Sequence, residues 1–574
     1  MASSSRVRSA GVAVAVAVAA AAAVAAASGS GKELDQDLVR GLDQELGPEL
    51  NQGLDRVAIL QGHPLLDLPV SVFETRPREQ TVMAPNERTP LRGGLQTPQR
   101  RKRLAAVVVG AVVVGAIALG WWWSSSGSST ASTKTPSSEH QASGANVGSA
   151  ICGDAHYESG YITLANKKDD HYFYWYSESR NDPENDPLVV WLTGGPGCSS
   201  MMALLSENGP CHVKSDLSTE INPYSWNDKA NVIWLDQPTN VGFSYGSEAD
   251  IDKDEDDVGD NFYWFMHGFL DKHTELEGRD FYITGESYAG HYVPAAAHKI
   301  WQENKAVKEA NATLRINLKG IAIGNGLTNS LLQMEHMLDM VDNSYNITLM
   351  NQTDYEQAKK KLPECLKLVE DLVKSGDLSP TDDQFKDCQL LMNPFQGAHR
   401  NPYDIRLPCG DVPDPTQCYD LTNVKKFLNS PNVQAALGVS PNRTQWLECD
   451  PRVGLEFMKS GDVIVNYESY VADLLNDGDV RVLLYVGDAD TVCNWYGNKA
   501  WATGLEWTHK KEFNAAEERP FLTANGTVHA GDVLNEYKTQ FTLLRVFNSG
   551  HMVPQDQPAV ALEMINKFLL NEAF

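Results

Sequence analysis

From Ala150 onward the chain alternates between two periodicities. Short apolar runs bounded by Gly, Asp or Asn recur as LVVWL (188–192), NVIWLD (231–236), DFYITG (280–285), KGIAIGNG (319–326), RVLLYVG (481–487) and FTLLRVF (541–547). Runs this short and apolar at nearly every position suit strands buried on both faces of a parallel sheet. Between them lie stretches with helical spacing, such as NFYWFMHGFLDKH. The pattern predicts an α/β domain over 150–574. Between about 330 and 475 no comparable run occurs, and segments such as YEQAKKKLPECLKLVEDLVKSG are helical in pattern. A helical insertion (cap) above the sheet is expected there.

The first 149 residues follow other rules. LAAVVVGAVVVGAIALGWWW (104–123) is uncharged and apolar throughout, long enough to cross a bilayer as a helix. Arg100, Arg101, Lys102 and Arg103 precede it and Trp121, Trp122 and Trp123 close it. Positive charge stays cytosolic, so the N-terminus is expected inside and the chain beyond 124 in the lumen, as in a single-pass type II membrane protein. Residues 1–28 conflict with this: Arg6 and Arg8 followed by an Ala/Val run resemble a cleavable signal peptide. If that were used, 104–123 would become a stop-transfer and strand the cysteine-rich part in the cytosol. We therefore read 104–123 as a signal anchor and leave 1–28 without a role. Residues 1–103 read as a disordered cytosolic tail, and the Ser/Gly/Thr-rich 124–149 as a tether.

Composition narrows the function. A net charge of −27 over 574 residues excludes nucleic acid, whose phosphates require clustered Lys and Arg. The acidic run EADIDKDEDD (248–257) reads as a solvated surface loop. Nine cysteines show no C-x-x-C pair and no His/Cys zinc spacing, so no metal is expected, and the odd number allows four disulfides and one free thiol. Asn311, Asn346, Asn351, Asn442 and Asn525 begin N-glycosylation sequons. Cysteines and sequons alike are confined to the chain beyond 150, which implies an oxidising, glycosylating lumen.

Candidate chemistry starts at RDFYITGESYAGHYVP (279–294), where Gly285-Glu286-Ser287-Tyr288-Ala289 fits G-x-S-x-G in all but its last position. A strand precedes it and a helical pattern follows, the setting of a nucleophile on a sharp strand-to-helix turn. Downstream, RVLLYVG runs into Asp488-Ala489-Asp490, and FTLLRVFNSG runs into His551-Met552. Both loops follow strand C-terminal ends, where open α/β sheets gather their chemistry. Ser287 would attack a carbonyl, His551 would take its proton, and an aspartate would orient the imidazole. Spacing alone does not choose between Asp488 and Asp490. The oxyanion would need the Tyr288 amide and a second N–H from the glycine turn TGGPG (193–197). Glu286 is out of place in this picture, because a carboxylate beside the nucleophile should hinder the attack.

WLTGGPGCSS, ENGP, NPYSWN, WLDQPTNVGFSY, GESYAGHYVP, GNGLTN, GDADTVCNWYGNKAW and FNSGHMVP together resemble the serine carboxypeptidases, the yeast vacuolar type included, from about residue 155 to the C-terminus. The resemblance implies an α/β-hydrolase fold, with Ser287, Asp490 and His551 as the triad and the amides of Gly195 and Tyr288 as the oxyanion hole. It implies that Glu286 pairs with Glu207 and that the pair, with Thr193 and Gly194, binds the free carboxylate of a peptide's C-terminus. Thr193 departs from the yeast vacuolar enzyme, which carries Asn there; a hydroxyl can still donate one hydrogen bond. The resemblance also suggests the disulfides Cys198–Cys449 and Cys409–Cys418, with Cys365–Cys388 closing the insertion and Cys152–Cys211 as the remaining pair. Cys493 then matches an unpaired active-site cysteine and implies sensitivity to mercurials, the alternative being a buried structural thiol. Trp191, Cys493 and Met552 are candidates for the substrate pocket.

The implied activity is acid hydrolysis of C-terminal residues from peptides or proteins with a free C-terminus, through an acyl-enzyme and without a cofactor. The expected location is an acidic vacuole- or lysosome-like compartment. An acyltransferase using the same triad, a protective or scaffolding protein, and a plain esterase are the competing readings.

Overall fold

The computed structural model describes residues 151–574 except 154–155, 311, 376–387, 389–393, 396–397, 410–417, 524–525 and 537–539. The N-terminal tail, the 1–28 segment, the 104–123 anchor and the 124–149 tether all lie outside the described residues. Among the described residues no helix is long and apolar enough to cross a membrane.

The strands are β1 (Tyr157–Thr163), β2 (Asp170–Ser177), β3 (Leu188–Thr193), β4 (Cys211–Val213) and β5 (Thr219–Ile221). They continue with β6 (Asn231–Leu235), β7 (Tyr245–Gly246), β8 (Asp280–Glu286), β9 (Asn317–Gly324) and β10 (Arg400–Asn401). The last are β11 (Asp404–Pro408), β12 (Arg481–Gly487), β13 (Arg519–Thr523), β14 (Val528–Glu536) and β15 (Phe541–Val546). The main sheet runs β1-β2-β6-β3-β8-β9-β12-β15-β14-β13, with β7 on the side of β2. The block from β6 to β15 is parallel, and all six apolar runs singled out in the sequence lie in it.

Side chains of that block divide by parity between two cores, as a two-residue period on a doubly covered sheet requires. Leu188, Val190 and Leu192 of β3 join one cluster with Ile233, Ile283 and Leu484. Val189 and Trp191 join the other with Val232, Trp234 and Leu483. Helices Glu255–Lys272 and Ala289–Glu309 cover the first face through Phe262, Phe265, Tyr292, Val293 and Ala296. Helix Pro558–Leu569 covers the second through Ala561, Met564, Ile565 and Phe568.

Three features depart from the sequence reading. The sheet is mixed: β1 and β2 at one edge and β14 and β13 at the other pair antiparallel. In β2, DHYFYWYS, aromatic side chains occupy both faces and obscure the strand alternation. The 330–475 region contains a small antiparallel ribbon, β10–β11, beside its helices. Its last part does not sit above the sheet: Val453, Phe457, Val471, Leu474 and Leu475, from helices Pro451–Ser460 and Glu468–Asp477, are buried in the first core cluster. Burial of that apolar stripe against β12 and helix Ala289–Glu309 outweighs its continuity with the insertion.

Four disulfides join Cys152–Cys211, Cys198–Cys449, Cys365–Cys388 and Cys409–Cys418, and Cys493 is a buried free thiol. Cys198–Cys449 ties the turn after β3 to the segment entering helix Pro451–Ser460. Ser199 N–H donates to Glu448 O (2.8 Å) and Asp450 N–H to Gly197 O (2.8 Å) beside it. The Cys198→Ser/Cys449→Ser double variant is expected to lose about 2–5 kcal/mol of stability. A lowered urea midpoint with the other disulfides intact is the readout.

Candidate active site

Ser287 stands at the end of β8 with φ +67°, the left-handed region that a non-glycine residue rarely adopts. The surrounding backbone holds it there: Ser287 N–H donates to Gly324 O (3.1 Å), while its own carbonyl accepts from Gly290 N–H and Leu327 N–H (both 2.9 Å). Helix Ala289–Glu309 starts immediately afterwards, completing the strand–turn–helix read from the motif. The turn after β3 presses against it. A Cβ on Gly194 would lie 2.3 Å from the Tyr288 nitrogen, so only glycine permits this approach. Gly195 follows with φ +118°.

His551 Nδ1 lies 2.7 Å from Asp490 Oδ2. Asp490 is fully buried, and its carboxylate also accepts from Asn325 Nδ2 (2.8 Å), Cys493 N–H (3.2 Å) and Val492 N–H (2.7 Å). The carboxylate is acceptor-only, so the proton sits on His551 Nδ1, leaving Nε2 with a lone pair. Nε2 is buried and has no hydrogen-bond partner. Asp488 faces elsewhere: it accepts from the Tyr345 hydroxyl, Asn548 N–H (3.1 Å) and Arg545 Nη2 (3.4 Å).

Glu286 and Glu207 are 3% and 2% exposed, so neither is a surface residue. Parallel pairing of β3 with β8 sets Thr193 beside Glu286, and Glu207 caps the C-terminus of helix Met201–Ser206. Burial pushes Glu207 up to about 8. Burial, then repulsion from Glu207, Asp490 and Asp556, holds Glu286 well above the ordinary carboxyl range. No N–H or O–H of another residue reaches Glu207 Oε2 or Glu286 Oε2. The contact between the two side chains therefore needs a carboxyl proton as its donor.

The other candidates are placed as follows. Thr193 Oγ1 accepts from Trp191 Nε1 (3.0 Å), which leaves the hydroxyl proton to point away from the indole. Trp191 is wholly buried against Trp226 and reaches the site only through that bond. Cys493 and Met552 are buried at 5% and 7% exposure. Burial first, then the Asp490 and Glu286 charges, raise the Cys493 pKa and keep the thiol neutral. Asn346, Asn351 and Asn442 are exposed, whereas Asn311 and Asn525 lie outside the described residues.

Two neighbours escaped the sequence reading. Asn325, in the GNG that follows β9, holds Asp490 through Nδ2 and accepts Gly487 N–H (3.0 Å) through Oδ1. An asparagine between glycines at a strand end was the signal available. The β10–β11 ribbon braces the loops that carry Asp490 and His551. Tyr403 O accepts His551 N–H (2.7 Å), Pro402 O accepts Thr491 N–H (2.9 Å), and Ile405 N–H donates to Ala489 O (3.0 Å). Nothing local in the insertion announces those contacts.

A family model described as serine carboxypeptidase matches residues 152–571. The chain belongs to the serine carboxypeptidase family. It is accordingly a serine-type carboxypeptidase, a peptide hydrolase. A serine carboxypeptidase-like protein of Oryza sativa subsp. japonica is 39% identical over 426 residues, covering 73% of this chain and 94% of the relative. The vacuolar serine-type carboxypeptidase ATG42 of Saccharomyces cerevisiae is 39% identical over 421 residues (72% and 80%). Carboxypeptidase Y of Candida albicans is 40% identical over 414 residues (72% and 72%). A prohormone-processing carboxypeptidase from Saccharomyces cerevisiae superposes with a TM-score of 0.63 at 26% identity, covering 73% of this chain and 91% of that one. The fold of this carboxypeptidase is thus an α/β-hydrolase with a mixed central sheet.

Two outcomes follow from this geometry. Asn325→Ala removes one of four donors to Asp490 and is expected to lower kcat about tenfold with folding retained, measured by steady-state kinetics beside a thermal melt. The second concerns stability. Glu207 and Glu286 have folded pKa values raised above the ordinary 4.5, so their contribution is complete below 4.5 and is lost as pH rises through the folded values. The melting temperature should fall between pH 5 and 8, and fall less in Glu286→Gln.

Proposed function

We propose that this carboxypeptidase removes C-terminal amino acids from peptides and proteins in acid, through an acyl-enzyme on Ser287. The observation that carries this reading is the buried carboxyl pair, Glu286 with Glu207, immediately beside the nucleophile. A peptide's terminal carboxylate needs hydrogen-bond donors close to the scissile bond. A carboxyl pair that retains a proton in acid supplies one, and Thr193, its lone pair already engaged by Trp191, supplies a hydroxyl proton. The Gly194 N–H adds a backbone donor on the same turn.

In this mechanism Ser287 Oγ attacks the last peptide carbonyl while its proton passes to His551 Nε2. The tetrahedral oxygen is stabilised by the Gly195 and Tyr288 amides. Collapse of this intermediate breaks the C–N bond, and His551 gives its proton to the departing amino acid. Water then enters, loses its proton to His551 and attacks the acyl ester, releasing the shortened peptide and restoring Ser287. Asp490 holds the tautomer and stabilises the imidazolium in both halves.

The compartment follows the same logic. Four disulfides, exposed sequons at Asn346, Asn351 and Asn442, and a vacuolar relative support an oxidising secretory lumen of vacuolar or lysosomal type. We place the domain at 150–574 on the lumenal side of a 104–123 anchor, joined by the 124–149 tether, with 1–103 cytosolic.

The test follows release of the C-terminal residue from an N-blocked dipeptide and from its amide between pH 4 and 8. Ser287→Ala should abolish both reactions. For the dipeptide, KM should rise as pH climbs through the pair's ionisation, because an ionised pair repels the substrate carboxylate; the amide should be far less affected. Glu286→Gln, which keeps a donor at every pH, should flatten the dipeptide's KM profile. Identical profiles for the two substrates would remove the carboxylate-binding role.

A further inference from the structure

A second buried carboxyl pair lies on the other side of the nucleophile turn, and the mechanism above makes no use of it. Asp462 follows Gly461 at the end of helix Pro451–Ser460 and is 2% exposed. Its Oδ2 accepts from the Tyr288 hydroxyl. Its Oδ1 accepts from the Tyr467 hydroxyl (2.6 Å) and from Glu255 N–H (3.3 Å). Glu255, the first residue of helix Glu255–Lys272, is also 2% exposed, and both of its carboxyl oxygens are buried without a hydrogen-bond partner.

A buried carboxylate with no donor on either oxygen costs several kcal/mol, whereas a protonated Glu255 can donate to the Asp462 carboxyl beside it. The titratable groups facing the pair are Tyr288, His291 and Tyr292 at the nucleophile helix, Tyr467 and Tyr470 at helix Glu468–Asp477, and Asp252 and Asp254 before Glu255. Lysine and arginine are absent from that set. Burial lowers the His291 pKa. His291 faces Asp462, and Lys167 pairs with Asp252 at 2.9 Å, while no hydrogen bond reaches the Glu255 carboxyl.

The Tyr288 ring is otherwise held by undirected packing: it stacks on His291 at 4.5 Å and meets Tyr292 and Phe457 edge-on. Its hydroxyl bond to Asp462 is the directional anchor. We propose that Asp462 is a positioning residue that fixes Tyr288 and, through it, the amide facing the oxyanion. The proposal rests on the oxyanion role given to that amide above. Because the carboxyl pair touches no substrate atom, its effect is independent of whether the substrate ends in a carboxylate.

The experiment compares full-length wild type with Tyr288→Phe, Asp462→Ala, Asp462→Asn and Ser287→Ala on the N-blocked dipeptide and its amide, with a thermal melt for each. Tyr288→Phe and Asp462→Ala should each lower kcat about tenfold on both substrates without raising KM. Their double variant should be no worse than either single one. Asp462→Asn keeps an oxygen acceptor for the Tyr288 hydroxyl, so its kcat should lie well above that of Asp462→Ala on both substrates. Tyr288→Phe decides the matter if Asp462→Ala does not fold, since it deletes a single oxygen. Folded Tyr288→Phe with wild-type kcat, or a loss confined to KM for the free carboxylate, would overturn the proposal. Hydrolysis that survives Ser287→Ala would instead sink the reading on which it rests.

Discussion

The site depends on the parallel pairing of β3 with β8. Six residue pairs from Leu188–Phe281 to Thr193–Glu286 lock the two strands, and both chains turn sharply at the same end of the sheet. One turn carries Ser287 in the left-handed region; the other brings Gly194 within 2.3 Å, measured from an added Cβ, of the Tyr288 nitrogen. A one-residue slip of β3 would reverse its inward and outward faces, exchange the two cores and carry the glycine turn off the nucleophile. Thr193, Gly195, Glu286, Ser287 and Tyr288 therefore owe their juxtaposition to a single register. The Cys198–Cys449 bridge and the Asp450–Gly197 bond secure the outer side of that turn.

Around this register lie two pairs of buried carboxyl groups, beside the buried Asp450, which Arg443 and Arg452 match with cations. Glu286 meets Glu207 on the side proposed for substrate, and Glu255 meets Asp462 behind Tyr288. Oε2 of Glu207 and Glu286 and both oxygens of Glu255 lack partners, whereas Asp462 accepts from the Tyr288 and Tyr467 hydroxyls and from Glu255 N–H. Burial raises the pKa of the carboxyls in both pairs, which favours their protonated forms. Asp490 is the contrast. Four hydrogen-bond contacts, three from N–H donors and one from the imidazole, reach its two oxygens in full burial. Environment, not residue type, separates the carboxyl group that orients a histidine from those that retain protons.

The insertion serves the same centre. Through Pro402, Tyr403 and Ile405 its ribbon accepts from and donates to the backbone on either side of Asp490 and at His551. The Tyr403 ring meets the His551 ring edge-on at 5.0 Å. Loops beyond parallel strands are free to diverge in conformation; here a peripheral element joins two of them, and Cys409–Cys418 closes the segment beyond it.

The six parallel strands were legible because each is a run whose apolar character extends over both faces, a local property. The Ser287 turn and the placement of His551 after a strand and a glycine were legible for the same reason. Spacing could not separate Asp488 from Asp490, two residues apart on one loop; partners from distant segments separate them, Tyr345 for one and Asn325 and His551 for the other. The edge strands β1, β2, β13 and β14 were missed, as was the core role of helices Pro451–Ser460 and Glu468–Asp477, because their faces are defined by what they pack against. Glu207 was reached through family resemblance and Asp462 not at all; Glu255 lay in the acidic run 248–257 read as a solvated loop, whereas Asp250, Asp252 and Glu255 are buried and Glu255 starts a helix. The sequence by itself determined the local alternation of apolar and polar positions, and with it the six parallel strands, the turn at Ser287 and the confinement of cysteines and sequons to the chain beyond 150. Tertiary structure alone decided which carboxyl groups share a proton and which receive N–H donors, since a carboxyl's state depends on burial and neighbours brought from distant parts of the chain.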